Sequence, residues 1–450
     1  MTLASVVLLA LLLALAGDGV VGALDGPAGS AVRHGEGGAR WALGFAAGMV
    51  LLHAILLLED LAGLPWSRVG ILAPLCAVAV LGVRDDRPLW RVLPLPAPRA
   101  GDVLALAALG PFAATSVLGW TIAPDYVYHW GVKAQKYFLA QGIDWAFLAE
   151  GWHWFVHPDY PNLVPGLYAT TGILRGIYRT TAALAWSPVL AAAILLVARS
   201  LLGRLGAVGR MRSGAMIALG AFLGFTGIAF RRSGDADWMI ALAVILGAWL
   251  LAGKRPERDD TAVGFVAALA AASKMEGMPL ACLLVMLHLC RRARASGLPS
   301  PAGWARLALP GMAVLLPWAW GVRRHDLFLP SNADALHWDA LGAVVAEMGR
   351  AVIHPEWSGF GALVLLLVLA LPFTRAARWP GMLLLLQLGF YLVAYLITPL
   401  DAVELVRTSF PRLLAHLAPA ALALGLGAVL RWPSGAEVPG AESPTGSRPV

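Results

Sequence analysis

Thirteen apolar runs separated by short polar stretches follow one another along the chain, at 3–24, 41–60, 66–83, 102–122, 182–200, 213–230, 236–252, 261–273, 276–290, 304–320, 358–374, 379–398 and 412–430. Most approach the ~20 residues with which one helix crosses the hydrocarbon core of a bilayer. In lipid every backbone polar group must be satisfied within the protein, and a helix does this by itself. The pattern predicts an all-α membrane protein, a polytopic bundle of about thirteen transmembrane helices. The two runs within 261–290 are short and read as a tight or re-entrant hairpin.

Composition strengthens this reading. The chain is 59% hydrophobic and 14% charged, with mean hydropathy +0.72. Ordinary globular domains are roughly 45–50% apolar and about 25% charged. The opening run, Met1 to Leu15, lacks the basic start of a signal peptide and reads as a first span that stays. Cys76, Cys282 and Cys290 all lie inside apolar runs, where they serve as small hydrophobes, and their spacing matches no disulfide framework or metal motif. The formal charge of +7 comes largely from arginine in short loops, and no zinc-knuckle, RNP or basic-helix pattern accompanies it, so nucleic acid is not an expected partner.

The basic residues set the expected orientation. Arg84, Arg87, Arg91 and Arg99 form one group, and Arg199, Arg204, Arg210 and Arg212 another. Lys254, Arg255 and Arg258, then Arg291, Arg292 and Arg294, then Arg375 and Arg378 follow. With the spans counted as above, all these groups fall on one side, which the positive-inside rule makes cytoplasmic. The N-terminus is then outside and the C-terminus inside, with a tail from about Pro433 rich in Pro, Gly, Ser and Glu. Three parts are expected: N-terminal helices at 1–100 without an assigned role, a core at 101–431, and a disordered cytoplasmic tail at 432–450.

The opposite side carries the polar segments, of which 123–181 is the longest. In a helix, Asp125, His129 and Lys133 would share one face at spacing four, a carboxylate, an imidazole and an ammonium in a stripe. Such a carboxylate suits a general base; the plainer reading is an interfacial helix. Further on, His157-Pro-Asp-Tyr-Pro161 is stiff and extended, with His157, Asp159 and Tyr160 available to orient a substrate or, more weakly, a metal. The neighbouring tryptophans, among them Trp130, suit sugar stacking and equally suit a membrane interface. Arg231 and Arg232 run against the orientation rule, which suits an anionic phosphate or pairing with Asp235 and Asp237; the plainer reading is a self-neutralised tight turn. Lys274 and Glu276 interrupt an apolar stretch, where charge is costly and points to function; the plainer reading is that they pair with one another or with Asp237. Arg407 and Arg412 stand before the last run, and with Arg231, Arg232, Arg323, Arg324, Lys133 and Lys136 they make a basic rim suited to phosphate or, non-specifically, to anionic lipid.

The order of these motifs resembles the GT-C superfamily of polytopic glycosyltransferases, and most of all the bacterial branch similar to protein O-mannosyltransferases and lipid A glycosyl- or aminoarabinosyltransferases. The likeness rests on Asp125 to Lys136, His157 to Pro161, Ser233-Gly-Asp-Ala-Asp237, Ser273-Lys-Met-Glu-Gly277, and Thr398-Pro-Leu-Asp401 through Arg412 and Pro419. Many relatives carry paired acidic residues in the first loop; here Pro124 precedes Asp125 and Tyr126 follows. The resemblance implies a GT-C-like core with a helical first periplasmic loop. It implies transfer of a sugar from a polyprenyl-phosphate donor to a lipid, polysaccharide or protein acceptor at the outer face of a bacterial inner membrane. Asp125 would be the base of an inverting displacement. Lys274, Arg412, Arg407 and Arg231 would hold the donor phosphate. His129, Trp130, Lys133, His157, Asp159, Tyr160, Asp237 and Glu276 would line the acceptor or sugar side. No cofactor is certain, and a divalent metal is left open. The alternative function is a transporter or flippase for a polyprenyl-linked or other amphipathic lipid.

Overall fold

The computed structural model describes residues 2–25, 37–83, 98–226, 232–327, 335–357 and 359–429. The expected tail at 432–450 and the candidate Arg231 lie outside the described residues. Among the described residues the protein is all-helical. Seven helical stretches are long and apolar enough to cross a membrane: Leu3–Asp25, Gly37–Leu61, Ala100–Leu118, Thr180–Arg204, Pro301–Arg324, Arg378–Leu396 and Ala402–Val429. Four further apolar helices, Arg68–Gly82, Asp237–Leu251, Asp260–Ser273 and Phe360–Phe373, are shorter.

In chain order the helices are α1 (Thr2–Asp25), α2 (Gly37–Leu61), α3 (Arg68–Val83), α4 (Ala100–Ala108), α5 (Gly110–Leu118), α6 (Gly131–Ala140), α7 (Trp145–Ala149), α8 (Leu163–Arg175), α9 (Thr180–Leu184) and α10 (Trp186–Arg204). There follow α11 (Gly209–Phe225), α12 (Asp237–Leu251), α13 (Asp260–Ser273), α14 (Gly277–Ala295), α15 (Pro301–Arg324), α16 (Leu341–Val352), α17 (Phe360–Ala370), α18 (Arg378–Leu396) and α19 (Ala402–Val429).

The helices depart from the expected pattern in three places. The run 102–122 is broken at Leu109 and ends at a left-handed Gly119, because glycine accepts the positive φ of 74° that closes a helix. The last helix begins at Ala402, ten residues before the apolar run, so Arg407 and Arg412 lie on α19 and not in a loop. Pro411 and Pro419 sit inside it. The segment after α15 contains the amphipathic helix α16, which packs on α19.

The centre of the bundle is α12, whose residues are all buried. It packs against α10, α13, α18 and α19. The N-terminal helices are tied into this bundle. α2 contacts α8, α10, α13 and α15, and α1 lies along α2. Their crossing depends on small residues: a Cβ at Gly17 would fall on the backbone of Gly44 and Gly48, and one at Gly48 on that of Leu13.

Charges collect at the two ends of α12, which a 15-residue helix separates by about 22 Å. At its C-terminal end Arg204 donates to the Trp249 carbonyl and Arg291 to those of Leu250 and Gly253. Arg199 pairs with Asp102, and Arg292 with Asp260. Arg199, Arg204, Arg291 and Arg292, which the sequence assigns to one side, therefore do share one end, while Arg84, Arg87 and Arg91 of the same expectation lie outside the described residues. The other end holds the candidate site.

Candidate functional site

Four stretches meet at the N-terminal end of α12. The first is the entry to the 123–181 loop, strapped to the turn before α12. Ser233 N–H donates to the Thr121 carbonyl at 2.9 Å, and Ala123 N–H to the Ser233 carbonyl at 3.1 Å. The Ser233 hydroxyl lies 2.6 Å from that of Ser116 and 2.7 Å from that of Thr121. This strap sets Asp125 beside Asp235 and Asp237.

Past the strap, Tyr126–Trp130 forms one π-helical turn before α6 begins at Gly131. Such turns gather at functional sites because the extra residue re-aims side chains. Gly131 permits it, since a Cβ there would lie 2.6–2.7 Å from the Tyr126 carbonyl and ring. Asp125, His129 and Lys133 do face one region, as the stripe at spacing four predicts, and each meets a different partner.

Asp125 pairs with Arg412 across 287 positions of chain. Asp237 is the hub of the ion network. Its carboxylate lies 3.1 Å from Lys274 Nζ, 3.4 Å from an Arg232 Nη and 2.9 Å from His416 Nε2. As the first residue of α12 it also meets the positive end of the helix dipole. Lys274, in the extended turn between α13 and α14, reaches Glu276 as well, at 3.2 Å. His416 Nδ1 is 2.9 Å from the Tyr391 hydroxyl. Three cations (Arg232, Lys274, Arg412) thus face three carboxylates (Asp125, Asp237, Glu276), and the cluster is close to neutral. Such neutrality is what burial of charge requires.

The loop residues form the adjoining wall. The ring centroids of His129 and His157 are 4.6 Å apart, those of His157 and Tyr160 4.5 Å, and those of Trp130 and Tyr160 6.0 Å. Lys133 is fully buried and donates to the His157 carbonyl at 2.9 Å. Its Nζ also lies 5.2 Å from the centre of the Trp130 ring. His157 has φ of +50°, a conformation strained for a residue that is not glycine and held only by its surroundings.

Burial controls protonation here. It pulls Lys133 down to about 7 against the attraction of Asp159. It lowers His157 to about 3, reinforced by His129, Lys133 and Lys274. His129 is lowered too, opposed by Asp125. Burial raises Asp159. Burial and the Asp237 charge together push Asp235 up to about 8, so it is neutral at pH 7.

Several buried polar atoms have no hydrogen-bond partner: Nδ1 of His129 and of His157, Oδ1 of Asp159, Oε2 of Glu276 and Nε of Arg412. Their residues lie within electrostatic reach of one another, and buried polar atoms in native proteins are rarely left unpaired. A polar ligand between the Asp125–Arg412 pair and the His129–His157 wall would satisfy them. Beside the hub an apolar cleft holds about 430 Å³ of empty space, its mouth included. Phe222, Leu223, Trp238, Ala415 and Pro419 line it, and Arg232 and Asp237 stand at its polar end.

Not every candidate is brought in. Arg407 lies on α19 five residues before Arg412, about 140° around the helix, and pairs instead with Glu347 and Glu404. It leaves the donor-phosphate set. His416 and Tyr391 were absent from the expected site, whereas Arg232 and Asp235, marked in the sequence beside Asp237, join it. The signal for His416 was a histidine inside an apolar run, the kind of residue membranes tolerate only for a reason. Among the described residues no group of three or more His, Cys, Asp or Glu side chains is placed to hold a metal. The structure therefore offers no such ligand set to the divalent metal that the sequence left open.

The fold and cluster define an all-helical protein of membrane-spanning character with a buried, charge-balanced polar site at one end of its bundle. No protein-family model, no curated protein and no solved structure matches the chain.

Proposed function

We propose that this protein transfers a sugar from a polyprenyl-phosphate donor to a cell-envelope acceptor at the outer face of a bacterial inner membrane. The observation that carries the reading is the meeting of the half-buried Asp125 and Arg412 with the buried Lys274 in one cluster beside unpaired polar atoms.

The donor's chain would lie in the apolar cleft and its phosphate at the cationic end of the cluster. Arg412 uses one terminal nitrogen on Asp125, and its Nε has no partner, so it retains donors for a phosphate oxygen. Lys274 supplies a second fixed charge. Asp125 takes the proton of an acceptor hydroxyl or amine. The acceptor atom attacks the anomeric carbon as the bond from that carbon to the phosphate oxygen breaks. The bonding electrons leave with the phosphate, and Arg412 and Lys274 stabilise the charge that grows there. A single displacement inverts the anomeric centre. His129, His157 and Tyr160 shape the acceptor side, and the rings of Trp130 and Tyr160 offer stacking faces.

A lipid transporter or flippase would need polar groups continuing through the bundle. Positions 238–251 of α12 and 262–272 of α13 are apolar throughout, which favours chemistry at one end. The test is incubation of purified protein with radiolabelled polyprenyl-phosphate sugar and a membrane extract as acceptor source. Release of polyprenyl phosphate with label entering acceptor is expected. Binding or translocation of the intact donor without cleavage would overturn the proposal in favour of transport.

A further inference from the structure

At the end of the bundle opposite the Asp125–Asp237 cluster, a second polar groove has no part in the proposed chemistry. It holds about 600 Å³ of empty space, its open mouth included. The turn after α12 supplies Gly253, Lys254 and Pro256; the end of α14 supplies Arg291 and Arg294; and Trp379 stands at the start of α18. Arg291 is held rigidly by the Leu250 and Gly253 carbonyls, with Asp259 and Glu257 within electrostatic reach. Lys254 and Arg294 are exposed and have no carboxylate partner among the described residues, and the Arg294 guanidinium lies 5.0 Å from the centre of the Trp379 ring. Asp260 is already taken up by His288 and Arg292.

The approach to this groove is apolar. Along α14, Cys282, Met286 and Cys290 are exposed at spacing four, and Arg294 continues the same stripe. One helix face thus leads from an uncovered apolar track to a pair of unmatched cations beside a tryptophan, the residue favoured where hydrocarbon meets headgroups.

We propose that this groove binds the phosphate headgroup of an anionic phospholipid, whose acyl chains lie along the Cys282–Met286–Cys290 face of α14. The cations supply the headgroup recognition, and the stripe distinguishes a lipid from a free phosphate, which has no use for it. A lipid held here would brace the α12–α13 turn against α14 and α18 at the end of the bundle remote from the proposed catalytic residues.

The full chain, purified in a nonionic detergent, is titrated with dioleoyl phosphatidylglycerol, dioleoyl phosphatidylcholine or inorganic phosphate. Bound lipid is counted by native mass spectrometry, with the melting temperature followed in parallel. Phosphatidylglycerol is expected to bind about tenfold or more tightly than phosphatidylcholine, and Lys254→Gln and Arg294→Gln each to weaken it about fivefold, the two together about 25-fold. Both positions are exposed, so the lipid-free melting temperature should stay unchanged; if the double variant does not fold, the single variants decide. Equal binding of the two lipids, or unchanged binding in the variants, overturns the proposal. Displacement of phosphatidylglycerol by millimolar inorganic phosphate overturns the lipid assignment and leaves a free-anion site.

Discussion

Replacing Asp125 with Asn separates the two roles that this carboxylate combines. The amide keeps the size of the side chain and removes both its basicity and its charge. Loss of a positioned general base slows a reaction about 10²–10⁴-fold, or about 3–5 kcal/mol of barrier at about 1.4 kcal/mol per factor of ten. The charge has a second effect. Arg412 is paired with Asp125 in the resting protein, so a donor phosphate must compete for the guanidinium. Removing the competitor should leave donor affinity unchanged or raise it. Fold should survive, because Arg412 remains in the field of Asp237 and Glu276. The assay measures single-turnover sugar release at saturating donor, and donor affinity separately by equilibrium binding. Turnover is expected to fall at least a hundredfold while binding holds. Turnover within a few-fold of the parent protein would remove Asp125 from the base role. Parallel loss of binding and turnover would make it a structural partner of Arg412.

Asp237 serves Lys274, Arg232 and His416 at once, whereas Lys274 leaves only the half-buried Glu276 without its partner. Asp237→Leu should therefore cost more stability than Lys274→Met, about 3–5 kcal/mol for stranding buried charge, and melting curves in detergent that reverse this order would contradict the network. Asp235 rises from an ordinary 3.8 to about 8 in the folded protein, so between those values the native state keeps a proton that the unfolded chain has released. Its stabilising contribution is full below the lower value and is lost as pH climbs through the upper one. Asp235→Asn should flatten the fall in melting temperature from pH 5 to 9, and an identical slope in both proteins would refute the assignment. Gly48→Leu should force α1 from α2, seen as a lower melting temperature and earlier protease cleavage between them; full retention of both would mean that the crossing tolerates a side chain.

Much of this architecture was legible in the order of residues, for reasons of solvent. A bilayer demands that backbone polar groups be satisfied within the protein, which a long apolar run does as a helix, so the apolar runs marked helices, and the arginine groups marked one end of the bundle. Charges that broke the rhythm, Lys274 and Glu276 above all, pointed to the other end, where Lys274 is buried and Glu276 half-buried beside it. Even the π turn kept the stripe of Asp125, His129 and Lys133 facing inward. Helix ends were less legible. The last helix reaches back to Ala402 through a charged segment, because tertiary packing against α16 and α18 supports a helix where hydropathy shows none.

What only the tertiary structure decided is which charge meets which. Asp125 and Arg412 are 287 positions apart and touch. Arg407 and Arg412 are five apart and part company, since five residues turn a helix by about 140°. His416 looked like one polar residue in an apolar run and proves to be a partner of the central carboxylate. Sequence spacing is local, whereas an ion pair depends on which helices are neighbours and how each is rotated. Rotation and neighbourhood follow from packing of whole helices, including the bare glycine crossing of α1 and α2 that holds α2 within the bundle.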